Sequence, residues 1–159
     1  MKLKTEIKWA LIFTATTLLW MLLEKFSGLH STHIALHQYL TNLFAIPAIL
    51  VYVFALKEKK NKDLGGAMSY KQGFISGMLI TLFVTMLSAP TQWVVSEIIT
   101  PEYFPNVIAY SLKSGYFQTQ VEAEAYFNLE NYMFQSVMGA LLMGIMTTAI
   151  VAFFMKSKK

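Results

Sequence analysis

The chain has no cysteine. Disulfides, thiolate metal sites and cysteine nucleophiles are therefore excluded, and cysteine usage says nothing about redox compartment. Arginine is absent too, so all 13 basic residues are lysine. Charge of either sign is sparse, 14% of residues against 55% hydrophobic. That balance belongs to membrane proteins rather than to ordinary soluble domains. A sequence pI near 9.2 would suit nucleic acid. The lysines, however, form short blocks beside apolar runs instead of a stripe interleaved with aromatics, and no nucleic-acid partner is expected. A GxSxG elbow, a phosphate loop, HExxH and paired carboxylates within an apolar run are all missing. Without a nucleophile–base constellation, the chain is not expected to be an enzyme.

What is present is long apolar sequence. A membrane-crossing helix needs about 20 mostly apolar residues, and four stretches supply them, about 8–26, 36–56, 70–99 and 131–155. The expected fold is an all-α membrane protein, one polytopic domain of four transmembrane helices. A short helical hairpin, 100–130, is expected between the third and fourth. The first span follows MKLK but lacks a small-residue cleavage site, so it reads as retained rather than as a signal peptide.

Eleven of the 13 lysines fall at the N-terminal end up to Lys8, from Lys57 to Lys71 around the connection between spans two and three, or after span four. Four crossings put these segments on one side, and the bias of lysine toward the cytoplasm makes that side, with both termini, cytoplasmic. Glu24, Glu97, Glu102, Glu122, Glu124 and Glu130 then lie outside or at the outer boundary.

Two ridges of small residues run along spans three and four at a spacing of four. One is Ser69, Gly73, Gly77, Thr81, Thr85 and Ala89, and the other Ser136, Ala140, Gly144, Thr148 and Ala152. Such ridges let helix backbones approach closely, either span against span or chain against chain. A homo-oligomer or a second membrane protein is therefore an admissible partner besides the lipid bilayer. Pro47 predicts an opened or kinked helix near Leu43–Ile46, and Asn42 is expected to seek a partner on another helix. Pro90 predicts a bend rather than a stop. KEKKNKDLGG reads as a solvated charged turn.

GGAMSYKQGF opening span three and ITPEYF after it carry a family resemblance. Gly65 and Gly66 with Tyr70, Gln72, Gly73 and Phe74, and Pro101 with Tyr103 and Phe104, are its most specific parts. Over nearly its whole length the chain resembles the bacterial integral membrane proteins grouped as domain of unknown function 4199. The resemblance implies four helices in a bacterial plasma membrane, and supplies neither activity nor site residues.

All three histidines lie in HSTHIALH, His30 to His37. With Gly28 ending helix one and Ser31 or Thr32 capping helix two, His33 and His37 should stand one turn apart on one face. An i, i+4 pair of this kind can hold a divalent metal. His30 can join by folding back, and Glu24 and Glu97 can complete a histidine–carboxylate set, with zinc, copper or nickel as the ion. Against this stands a plain alternative, in which the histidines are the wet end of a helix and Glu24 is an interface-level ion pair beside Lys25. Two functional readings follow. The first is a small non-enzymatic subunit or scaffold without a cofactor. The second is a metal- or proton-responsive transporter or sensor built on His30, His33, His37, Glu24 and Glu97.

Overall fold

The computed structural model of the protein describes residues 3–157. Lys2, Lys158 and Lys159, counted in the charge bias above, lie outside them. The fold is all-helical. Helix α1 is Lys4–Phe26, α2 is Ile34–Asp63, α3 is Tyr70–Ile99, α4 is Tyr103–Lys113, α5 is Gln120–Tyr126 and α6 is Leu129–Met155. α1, α2, α3 and the run Gln120–Met155 are long and apolar enough to cross a membrane.

The distribution of side chains fits lipid as solvent. Leu19, Met86 and Phe154 are more than 60% exposed, whereas Glu6, Glu24, Thr81 and Thr148 are buried. A water-soluble bundle would reverse this order. In lipid, apolar side chains have nothing to gain by turning inward, and polar groups must find partners inside the bundle.

The two small-residue ridges meet each other. α3 and α6 run antiparallel in a register that sets Gly73 against Ala152, Gly77 against Thr148, and Thr81 against Gly144. The packing is reciprocal. A Cβ on Gly77 would come 2.5 Å from Thr148 Cγ2, and one on Gly144 2.5 Å from Thr81 Cγ2. Only glycine admits the facing threonine at these two positions. Thr81 sits 3.3 Å from the Thr148 hydroxyl and 2.8 Å from the Tyr52 hydroxyl, so a hydroxyl cluster ties α2 to this pair. Helix α1 packs on α2 and α3, and α2 also meets α6.

Local punctuation largely follows the sequence. The α2 backbone tightens over Thr41–Phe44, just before Pro47. α3 runs through Pro90 and ends in a wider turn, Val95–Ile99. Ser69 with Gln72, and Thr119 with Glu122, form capping boxes at the starts of α3 and α5. Three expectations differ. Asn42 donates to the carbonyls of Gln38 and Tyr39 on its own helix, because a carbonyl one turn back is nearer than any neighbouring helix. α2 begins at Ile34 with His33 as its cap residue, and neither Ser31 nor Thr32 caps it. KEKKNKDLGG is a turn only at its end, since α2 runs on to Asp63 and buries Lys59 within it.

Candidate functional site at the histidine end

Glu24 is the centre of the site. It lies in the last turns of α1, and its side chain is 2% exposed. The expected interface-level pairing with Lys25 does not form, because the chain turns back over Glu24. Gly28 makes that return. Its φ of 80° lies in the left-handed region, and a Cβ there would come 2.6 Å from Thr32 Oγ1. The backbone amides of Ser31 and His33 both donate to the Gly28 carbonyl, which closes the turn.

The return brings two of the three histidines onto Glu24. His30 Nε2 is 3.0 Å from Glu24 Oε2 and His37 Nε2 is 3.3 Å from the same oxygen. The ligating atoms of Glu24, His30 and His37 all lie within 4.8 Å of one another. His30 is buried and His37 half-buried. His33 goes elsewhere. It is exposed, and its Nδ1 contacts the Ser27 carbonyl at 3.0 Å. Because α2 starts only at Ile34, His33 and His37 do not share a helical face. Glu97 is exposed, outside the cluster, in the wider turn ending α3. Of the five sequence candidates the fold therefore joins Glu24, His30 and His37, and places His33 and Glu97 apart.

A second layer orients this trio. Trp20 Nε1, one turn before Glu24, donates to Oε1 at 2.5 Å, leaving Oε2 to face both imidazoles. Tyr103 opens α4 and packs its ring edge-on against both histidine rings, 5.2 Å centroid to centroid in each case. Its hydroxyl lies 3.3 Å from His37 Nδ1 and 3.2 Å from the Tyr132 hydroxyl of α6. Burial pushes the Tyr103 phenol far above its ordinary range, so it remains a neutral hydroxyl. Asn106 Nδ2 donates to the His30 carbonyl at 2.9 Å, which fastens α4 to the turn. His30 Nδ1 is buried with no partner among the described residues.

Trp20 could have been found from its i, i+4 spacing to Glu24. Tyr103, Asn106 and Tyr132 carried no such signal, since more than sixty residues separate each from the histidine group it touches or adjoins.

Two arrangements suit this geometry. Each imidazole can donate from Nε2 to the shared carboxylate oxygen. Alternatively, two Nε2 lone pairs and one carboxylate oxygen can ligate a cation. Tetrahedral zinc with bonds near 2.0–2.1 Å sets its ligand atoms about 3.3 Å apart. The two Nε2–Oε2 separations, 3.0 and 3.3 Å, are already close to that edge length. The third edge lies within 4.8 Å.

Four helices long and apolar enough to cross a membrane, with a buried carboxylate and two imidazoles at one end, place the chain in the all-helical membrane class. The chain belongs to the family described as Protein of unknown function (DUF4199), whose model matches residues 8–157. Neither the curated proteins nor the solved structures provide a match.

Proposed function

We propose that this is a small non-enzymatic membrane protein that responds to a divalent transition metal, with zinc the leading ion, held by Glu24, His30 and His37. The observation that carries the reading is the convergence of two Nε2 atoms on one buried carboxylate oxygen at tetrahedral-edge distances. The donor set of two imidazoles and a carboxylate also suits copper(II) and nickel. Trp20 and Tyr103 act as the outer-shell partners that fix ligand orientation in metal sites. Binding would fasten the end of α1 to the turn and to the start of α2, so the metal's effect is a change in how firmly the histidine end is held together. By the lysine bias this end faces away from the cytoplasm of a bacterial plasma membrane, which makes the ion an external signal. A scaffold role through the small-residue ridges has less support, because both ridges face each other within one chain.

The test is metal titration of the detergent-purified chain, with zinc, copper and nickel, in wild type, Glu24→Gln, His30→Ala, His37→Ala and His33→Ala. One ion per chain is expected in wild type and His33→Ala, with loss in the other three. Absence of stoichiometric binding at micromolar metal would overturn the reading and leave the cluster as a hydrogen-bonded latch.

A further inference from the structure

At the opposite, lysine-rich end a second buried carboxylate is only partly satisfied. Glu6, in the first turns of α1, is fully buried. Its Oε1 accepts from Ser76 Oγ of α3 at 2.8 Å and pairs with Lys59 Nζ of α2, also at 2.8 Å. Its Oε2 has no hydrogen-bond partner among the described residues. Lys59 is shared with Asp63 at 3.0 Å, and Asp63 also accepts from Thr5 at 2.9 Å. Two carboxylates therefore surround one buried ammonium. The group carries an excess negative charge, and a carboxylate oxygen is left without a donor where desolvation makes that expensive.

This group forms one wall of a cavity of about 530 Å³ lined also by Lys62, Gln72 and Ile75. The wall is asymmetric in charge. Asp63, one-third exposed, presents acceptors, and Glu6 lines the wall with its unpartnered Oε2 buried. Lys62, whose side chain is 73% exposed and lightly held by Glu58 at 3.2 Å, presents a cation at the rim. Gln72 spends its Oε1 on the Ser69 amide in the capping box, and its Nε2 has no acceptor among the described residues. Ile75, 43% exposed, continues the wall along the apolar surface of α3.

We propose that this cavity binds the headgroup of an ethanolamine phospholipid from the adjoining leaflet. The primary ammonium donates to Glu6 Oε2 and Asp63, the phosphate is met by Lys62 and Gln72, and the acyl chains leave past Ile75. Each half of the zwitterion meets its complement, and the cavity lies at the end of three spans, where headgroups reside. A choline headgroup cannot replace it, because a quaternary ammonium has no N–H to donate to the orphan oxygen. An anionic glycerol headgroup brings no cation for it. The site is independent of the metal reading at the other end.

The experiment uses the full chain in nanodiscs of mixed ethanolamine and choline lipid, with the lipid retained after gentle detergent exchange counted by native mass spectrometry. Wild type should retain the ethanolamine lipid about tenfold over the choline lipid, the worth of one charge-assisted hydrogen bond. Glu6→Gln should remove most of that preference. Ile75→Trp narrows the mouth while leaving every ion pair intact, and should do the same even if Glu6→Gln fails to fold. Equal retention of both lipids by wild type, or an undiminished preference in Ile75→Trp, overturns the proposal. Soluble phosphoethanolamine should compete only at much higher concentration. If it displaces the lipid at equal concentration, a free metabolite rather than a lipid is the ligand, and the lipid assignment is overturned.

Discussion

Glu24 shows how far a residue's meaning depends on what the chain does next. Beside Lys25 at the end of an apolar run, it has the sequence context of a surface ion pair. In the fold it is buried and takes two imidazoles on one oxygen and an indole on the other. The outer-shell contacts give direct tests. Tyr103→Phe removes the hydroxyl beside His37 Nδ1, and Trp20→Phe frees Glu24 Oε1 to rotate. Each should weaken zinc binding roughly 10-fold or more while preserving one ion per chain, since outer-shell partners are commonly worth 10–100-fold in metal affinity. Competition against a chelator of known affinity measures this, and unchanged affinity in both variants would count against oriented ligation. Gly28→Ala should act on the turn itself. A left-handed φ and a Cβ 2.6 Å from Thr32 Oγ1 make it destabilising by about 1 kcal/mol or more, read as a lower thermal midpoint in detergent.

Among the elements, the α3–α6 pair is the most tightly specified. Its four-residue spacing was visible in the sequence, but two ridges of that kind fit intrachain and interchain packing equally well. The register that places each glycine under the opposite threonine decides for intrachain packing. Gly77→Val and Gly144→Val should each cost about 1–3 kcal/mol, because neither helix can retreat without opening the other contact. Thr81→Val removes the partner of the Tyr52 hydroxyl, yet it should cost only about 1 kcal/mol, since interhelical hydrogen bonds in membranes are individually modest. Unfolding in mixed micelles ranks these variants. A Thr81→Val effect larger than that of Gly77→Val would show that the hydroxyl cluster, not close approach, holds the pair. Asn42 offers the opposite lesson, because a polar residue in a span predicts an interhelical bond only when no carbonyl of its own helix lies open to it. The tightened turn before Pro47 leaves those of Gln38 and Tyr39 available.

On the scale of the whole molecule, the bundle buries carboxylates, a lysine, a histidine and hydroxyls beside a compact apolar core, while many leucine, methionine and phenylalanine side chains face outward. The buried carboxylates gather with their partners at the two ends, Glu24 with His30 and His37 at one, and Glu6 with Lys59 and Asp63 at the other. The hydrophobic cluster of Ala10, Tyr52, Leu56, Ile80 and Val151 lies within the bundle core. The absence of native cysteine makes the orientation directly testable. Asn61→Cys, exposed in the last turn of α2, should react with an impermeant thiol reagent only from the cytoplasmic side. Gln118→Cys, between α4 and α5, should react only from the outside. Labelling in the reverse sense would invert the assignment of the histidine end to the exterior.

The sequence by itself determined the all-helical class, four runs long and apolar enough to cross a membrane, and the capped helix starts at Ser69 and Thr119. Those features follow from local composition: apolar runs of sufficient length, lysine blocks between them, prolines, and serine or threonine three residues ahead of a glutamine or glutamate. It also marked the histidine segment, because three such residues within eight stand out in any order. Which of them meet was decided only by tertiary structure. The left-handed turn at Gly28 carries His30 back onto α1 and leaves His33 outside, and Tyr103 arrives from a helix more than sixty residues away. The Glu6–Lys59 pair was invisible for the same reason, since fifty-three positions separate its members and each has the local context of a solvated lysine-rich end. Periodicity reports which face of a helix is polar. Only the packing of one helix against the next determines which polar groups share a site.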